Sequence, residues 1–496
     1  MFSFQKKLTN GFYAVLSLPV TAVGFSLSTQ VAVLSWILNT KYNLHIEDVA
    51  LVWLAGPVSG IIMQPIVGMI SDKSWFWGGR RKPFIALGGL LGTLMLIGLV
   101  KIDAISKMFG GAHSVFIIAV IVALLLDMSI NVTFNPARSI IADVTPQGEA
   151  RTKGYSWMQV LSGSFSIAAY FISVVFGNIF LIYVAAILVF LFSIVPLFFI
   201  KEPSVLEAST TNRPGKKTSF IKGLKIVLPL YGFIFYAVFI ALNKVLLAGK
   251  WDAYQTSLLY ICIIITIILG VFIILKGRKK TSNEIEFQKI LLAHSFTWLG
   301  LQSMFVMIFF YVQEKIIPVV ANKTIIANSF SSFFTGKIND AEKSAGNILS
   351  LGLLIFNFVA ALLPVLVLEP LTKRKGKIKT YVLALSWLLI GYGFLYLFGT
   401  AELNFYIGMF ICGVGWSAVI SIVFAIMSEK VDAAKMGLYM GLFNFCVVFP
   451  SMMTVGVSKI INESKNQSTL FLIAFISLLI SVIFWLFVKE QNNSVK

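Results

Sequence analysis

The chain has 496 residues, 58% of them hydrophobic and 12% charged, against roughly 45 to 50% apolar residues in soluble domains. That composition excludes a water-soluble fold. Its apolar runs continue for about 20 residues instead of alternating over about ten, which also excludes an outer-membrane barrel and leaves membrane-spanning helices. The net charge of +19, from 40 Lys and Arg against 21 Asp and Glu, reads as the basic bias of cytoplasmic loops; no nucleic acid is expected as a partner.

In chain order, the first apolar run starts near Phe12, is too long for a signal-peptide core and lacks an A-x-A site, so it is expected to remain as the first span. Further spans are expected at about 48–71, 83–100, 114–136, 156–176 and 179–200, bounded by charged or Gly/Pro/Asn breaks. A polar linker over 201–222 follows, then two runs at 224–243 and 254–275, a basic stretch over 276–289, and six more runs at 290–313, 346–368, 380–399, 403–427, 436–458 and 468–488. The fold expected is an all-α polytopic membrane protein of fourteen spans in a 6+2+6 pattern: an N-terminal six-helix bundle over 1–200, linkers with an inserted helix pair over 201–289, and a C-terminal six-helix bundle over 290–496. Cys262, Cys412 and Cys446 lie inside apolar runs with no CxxC spacing, so neither a metal site nor a disulfide is expected.

With the amino terminus inside, one set of connections and both tails collect 28 Lys and Arg and the opposite set 11. Both termini are therefore expected in the cytoplasm. The two halves carry weak copies of one another: Gly68-x-x-x-Asp72 with Gly79-Arg-Arg-Lys82 matches Glu369-Pro with Lys373-Arg-Lys-Gly-Lys377, and Ala142-Asp143-Val with Arg151-Thr-Lys-Gly154 matches Ser428-Glu429-Lys with Ala434-Lys-Met-Gly437. Basic inside loops are general, but the paired acids point to duplication, and six-helix halves in parallel repeat are how many secondary transporters are built, with substrate between the halves.

An ionisable side chain at bilayer depth is costly and normally functional. Asp127 lies mid-span in Val120-Ile-Val-Ala-Leu-Leu-Leu-Asp127, too short to reach water. Desolvation favours the neutral form of a carboxyl, so such a group can carry a proton. Asn131, Asn135 and Arg138 follow on the same helix face. Interhelical hydrogen bonding alone is the alternative for this stripe. Arg138 lies roughly 16 Å along the axis from Asp127 and belongs to the cytoplasmic end. There Asp72, Arg80, Arg81, Asp143 and Glu429 are expected to form a charged gate with it, a loop topology signal being the alternative. Gly56-x-x-x-Gly60, Gly88-x-x-x-Gly92 and Gly437-x-x-x-Gly441 are read as close helix contacts.

The uncharged polar and aromatic residues in the spans are Gln30, Gln64, Gln159, Trp298, Gln302, Asn357, Trp416, Ser417 and Asn444. Amides bond hydroxyls and indoles cover a sugar's apolar face. The substrate site is accordingly expected from Gln30, Asn131, Asn135, Gln302, Asn357 and Trp416, with a neutral hydroxylated ligand.

The string Val52-Trp-Leu-Ala-Gly-Pro-Val-Ser-Gly-Ile-Ile-Met-Gln-Pro-Ile-Val-Gly-Met-Ile-Ser-Asp72, followed by Gly-Gly-Arg-Arg-Lys-Pro-Phe84, resembles the second span of plant sucrose transporters and their bacterial and animal relatives, sugar:cation symporters of the glycoside-pentoside-hexuronide type within the major facilitator superfamily. Leu126-Asp-x-x-x-Asn131, Asn135-Pro-x-Arg138 and Ala142-Asp143 resemble that family's fourth span, Lys201-Glu-Pro203 the end of its sixth, and Gly413-Val-Gly-Trp-Ser417 with Gly437-Leu-Tyr-Met-Gly-Leu-Phe-Asn444 its tenth and eleventh. The resemblance implies proton-coupled sugar uptake, with Asp127 as the proton-coupling acid and Arg138 as its partner arginine. The chain departs from the family in reading Ile130-Asn131 for a doubled asparagine, Val423-Phe424 for Pro-Tyr, and in its two extra spans.

The expectation is a proton symporter importing a neutral sugar, an α-glucoside disaccharide such as maltose or sucrose, by alternating access. It is expected to be a monomer in the bacterial inner membrane, with the sugar, the proton and the lipid bilayer as partners, and neither cofactor nor metal is expected. Export of a drug or peptide is the alternative within transport, since fourteen spans also occur among exporters. No HExxH, GxSxG, P-loop or dinucleotide motif is present, so an enzyme is not expected. The short basic inside linkers argue against a sugar sensor.

Overall fold

The computed structural model describes the chain except residues 1–4, 6, 110–113, 147–148, 204–224, 246, 248, 280–281, 323–340, 432–435 and 491–496, and except some helical side chains, those of Asp72 and Gln64 among them. Most of the expected 201–222 linker, most of the connection between the runs at 290–313 and 346–368, and Ala434-Lys435 therefore lie outside the described residues. Among the described residues the regular secondary structure is helical, apart from one isolated bridge between Phe76 and Gly79.

Chain contacts divide the protein into two compact units, residues 1–209 with 328–354, and 210–327 with 355–496. Unit 1 contains α1 (Asn10–Thr40), α2 (Ile46–Trp53), α3 (Ala55–Lys73), α4 (Lys82–Val100), α5 (Ile102–Met108), α6 (Val115–Val144), α7 (Glu149–Phe176) and α8 (Asn178–Phe199). Unit 2 contains α9 (Tyr231–Val245), α10 (Gln255–Lys279) and α11 (Asn283–Tyr311). The next helix, α12 (Ala341–Leu363), contributes residues to both units. Unit 2 continues with α13 (Glu369–Lys375), α14 (Lys377–Phe398), α15 (Glu402–Ser421), α16 (Val423–Glu429), α17 (Met436–Met452), α18 (Thr454–Ser464) and α19 (Thr469–Trp485).

Each expected apolar run falls on helix. Eleven helices, among the described residues, are long and apolar enough to cross a membrane, and the apolar helices at Leu228–Lys244 and Thr469–Trp485 are shorter. The expected run 48–71 is broken at Leu54, whose N–H turns back to Leu51 and Val52. Pro57 is the reason: without an N–H it leaves the Trp53 carbonyl no partner four residues on. The inserted pair α9 and α10 packs on itself and against α11, α17 and α18, with Gly232 against the Cys262 carbonyl. The outer face of α10, including Ile264, Ile268 and Phe272, is exposed, as a surface bathed by lipid requires.

The expected Gly88-x-x-x-Gly92 contact is present and wider than the motif. A Cβ at Gly88 would meet Thr133, one at Gly92 would lie 2.8 Å from the Ser129 hydroxyl, and one at Gly89 would strike Ser193. This face presses α4 between α6 and α8. Since overpacking costs about 1–3 kcal/mol, Gly89→Leu should lower the thermal midpoint of purified protein, whereas Gly163→Leu, where nothing lies within 4 Å, should leave it within about 0.5 kcal/mol of the parent. Fluorescence-monitored unfolding in detergent compares the two.

Candidate functional site

Asp127 sits halfway along α6, 5% exposed. Three helices converge on it. From α1, the Gln30 side-chain amide donates to both carboxylate oxygens at 3.2 Å. From α3, Gly56 presents bare backbone, so that a Cβ there would stand 3.5 Å from the carboxylate. One turn on, Asn131 Nδ2 donates to the Asp127 carbonyl at 2.9 Å and to Ser59 Oγ at 2.8 Å, and Ser59 donates in turn to the Gly56 carbonyl at 2.9 Å. Among the described residues no Lys or Arg pairs with Asp127. Its partner is a neutral amide that offers a donor or an acceptor according to its rotation, and so can hold the acid with or without a proton. Asn135 continues the stripe half-buried.

The charged end of unit 1 gathers Arg80, Arg81 and Asp143. Arg81 Nε donates to Asp143 Oδ2 at 3.0 Å, Arg81 Nη1 donates to Ser71 Oγ at 2.8 Å, and Arg80 lies 3.9 Å from the same Asp143 oxygen. A residue the gate reading missed organises this end: Glu202 accepts the backbone N–H groups of Arg80 at 2.8 Å, Arg81 at 3.0 Å and Lys82 at 2.9 Å, satisfying the open donors at the start of α4. Arg138 lies with its guanidinium 4.1 Å over the Phe134 ring, not on the Asp143 carboxylate. The Asp72 side chain is outside the described residues.

Unit 2 repeats the scheme. Lys377, at the start of α14, forms an ion pair with Glu429, and its backbone N–H is donated to Glu490 at 2.5 Å. A second matched set of contacts ties the segment before α1 to the segment after α8, and α11 to the segment after α19. In unit 1, Gln5 accepts the Lys201 N–H at 3.1 Å and donates to the Lys201 carbonyl at 2.9 Å. In unit 2, Glu286 accepts the Lys489 N–H at 2.8 Å, and Lys289 bonds Glu286 at 2.6 Å and the Phe487 carbonyl at 3.1 Å. The Lys-Glu dipeptides at 201–202 and 489–490 are thus a third matched pair in the sequence. Burial holds the Lys430 ammonium nearby below the usual lysine range, against the opposing pull of Glu286, Glu429 and Glu490.

Of the substrate residues expected in the second half, Trp416 on α15 is the hub of an aromatic group. Phe356 stacks on it at 5.8 Å and 19°, while Phe305 at 5.6 Å and Trp298 at 6.0 Å meet it edge-on. Trp298, Gln302 and Phe305 recur at i, i+4 and i+7, one face of α11, and Asn357 follows Phe356 on α12; Gln302, Asn357, Trp298 and Trp416 are all half-buried. Gln159 and Asn444 are exposed. Ser417 is fully buried and donates to the Val414 carbonyl at 2.5 Å. Among the described residues no group of three or more His, Cys, Asp or Glu side chains is placed to hold a metal ion.

The family model described as the Major Facilitator Superfamily matches residues 16–310 and 245–455. A general alpha-glucoside permease of Schizosaccharomyces pombe is 30% identical over 151 residues, 28% of this chain and 27% of the permease. The sucrose transport protein SUC4 of Arabidopsis thaliana is 32% identical over 123 residues, 24% of this chain and 23% of that protein. The matched stretches thus span about a quarter of these relatives. Among solved structures, a peptide transporter POT in complex with sulfate aligns with a TM-score of 0.63 at 16% identity, covering 95% of this chain and 93% of its own. The nucleoside transporter NupG aligns at 0.58 and 12%, covering 97% of this chain and 100% of its own. At such identities these two carry the fold alone.

Proposed function

Because the chain belongs to the Major Facilitator Superfamily, we propose that this multi-pass membrane protein is a proton-coupled symporter importing a neutral sugar by alternating access, an α-glucoside disaccharide such as maltose or sucrose. The observation that carries the reading is the buried Asp127 held by the neutral amide of Gln30 with no cation paired to it among the described residues. A carboxylate fixed by Arg or Lys stays charged; one met by an amide can gain and lose a proton as its surroundings change. The local similarity to the alpha-glucoside permease and sucrose transport protein points to the substrate class. Within this proposal Gln30, Asn131, Asn135, Gln302, Asn357 and Trp416 contact the sugar. Asp72, Arg80, Arg81, Arg138, Asp143 and Glu429 close the cytoplasmic side. The same proposal has fourteen spans in a 6+2+6 order, three domains at 1–200, 201–289 and 290–496, a monomer in the bacterial inner membrane, and both termini in the cytoplasm.

Purified protein in liposomes tests it. With an inward proton gradient, labelled maltose or sucrose should accumulate, and collapsing the gradient with an uncoupler should end accumulation. Sugar loading only of everted membrane vesicles would establish export instead, and accumulation driven by sodium at uniform pH would overturn the proton.

A further inference from the structure

His294 is 1% exposed near the middle of α11, and the proton-coupling scheme gives it no part. Both its nitrogens are engaged. The Trp298 indole N–H, one turn on, donates to His294 Nε2 at 2.9 Å. An indole can only donate, so Nε2 is the acceptor and the ring proton sits on Nδ1, 3.2 Å from the Tyr381 hydroxyl of α14. The imidazole lies flat on Phe443 of α17, 5.1 Å between centroids and 12° between planes. Stack and hydrogen bonds together leave the ring one orientation and one tautomer, set by Trp298 on one side and Tyr381 on the other.

What this holds in place is the Trp298 indole. Trp298 is half-buried and meets Trp416 edge-on at 6.0 Å and 84°, at the rim of the aromatic group that carries Phe305 and Phe356. An indole free to rotate would have to be ordered whenever a ligand arrived, and ordering one such side chain weakens binding. We infer that His294 is a positioning residue of the sugar site: by accepting the Trp298 N–H it fixes the indole plane against Trp416 before the sugar binds. This rests on the sugar-transport reading above. With its ring buried and both nitrogens occupied, His294 itself makes no contact with the sugar, so its removal should appear in apparent affinity and not in turnover.

Three variants test this with maltose and sucrose as probes in proteoliposomes. His294→Phe keeps the stack on Phe443 and loses the acceptor; His294→Gln supplies a side-chain carbonyl in its place; Trp298→Phe keeps a ring and loses the donor. Leaving the half-buried indole N–H without its acceptor should raise KM by about tenfold in His294→Phe, with kcat within about twofold. His294→Gln should recover most of the loss. In the Trp298→Phe background, which shows the raised KM itself, His294→Phe should add nothing. The emission of Trp298, obtained as the difference from Trp298→Phe, should move to shorter wavelength in His294→Phe without any sugar. Additive effects of the two substitutions, a lowered kcat at unchanged KM, or an unshifted emission would each overturn the inference. A parent protein that takes up neither sugar defeats the transport reading beneath it. That is a different result from a transporting parent matched by His294→Phe, in which the inference alone fails.

Discussion

Asp127→Asn should abolish accumulation of sugar against its gradient while leaving exchange of internal for external sugar intact. The substitution keeps the size of the side chain and a contact to Gln30, whose amide can turn its carbonyl toward the new amide as it turns its N–H toward the carboxylate. What is lost is the site for the proton. A gradient of one pH unit is worth ~1.4 kcal/mol, which supports about tenfold accumulation when one proton moves with each sugar; in the variant the ratio should fall to about one. Counting labelled sugar inside proteoliposomes at steady state, with and without the pH step, measures both numbers. An Asp127→Asn protein that still concentrates sugar places the coupling proton elsewhere. One that neither accumulates nor exchanges shows that the carboxyl also shapes the sugar site.

Helices were legible because burial in lipid demands long apolar runs, and each expected run lies on helix. Asp127 and Asn131 were legible for the same reason: an ionisable residue inside such a run is costly, and it draws the eye to the amide one turn on. Arg81 and Asp143 could be named from charge and loop position alone, though their 3.0 Å contact joins residues 62 apart in sequence. The partners that complete each site were not legible. Nothing near Glu202 marks it as the acceptor for three N–H groups some 120 residues earlier; the resemblance singles out Lys201-Glu-Pro203 without giving it this role, which the parallel between Lys201-Glu202 and Lys489-Glu490 would have suggested. Gln30 reads as one amide among several until the fold brings it to Asp127. Helix continuity failed at Leu54, where the apolar pattern runs on but Pro57 removes a backbone donor. His294 and Trp298 stand four apart on an apolar face, a spacing that fits ordinary core packing equally well until the 2.9 Å bond between them is seen.

The second large effect concerns stability. Glu286 and Lys289 at the start of α11 each expose 4% of their side chains and lie 2.6 Å apart, a buried pair whose removal from one side strands a charge. Breaking such a pair costs about 3–5 kcal/mol, whereas replacing both partners by neutral groups is often harmless. Lys289→Met should therefore be among the most damaging single changes in unit 2, leaving the Glu286 carboxylate with the Lys489 N–H at 2.8 Å and the pull of the Lys430 ammonium, which has Glu429 and Glu490 beside it as well. Glu286→Gln in the same chain should recover most of the loss, since the amide keeps an acceptor for that N–H and carries no charge. Unit 1 already contains the neutral version: Gln5 takes the Lys201 N–H and returns a hydrogen bond to the Lys201 carbonyl. Thermal unfolding of the two single variants and the double in one detergent gives the coupling directly. A double variant no more stable than Lys289→Met would mean that the ion pair's geometry, and not its charge balance, holds α11 to the segment that follows α19.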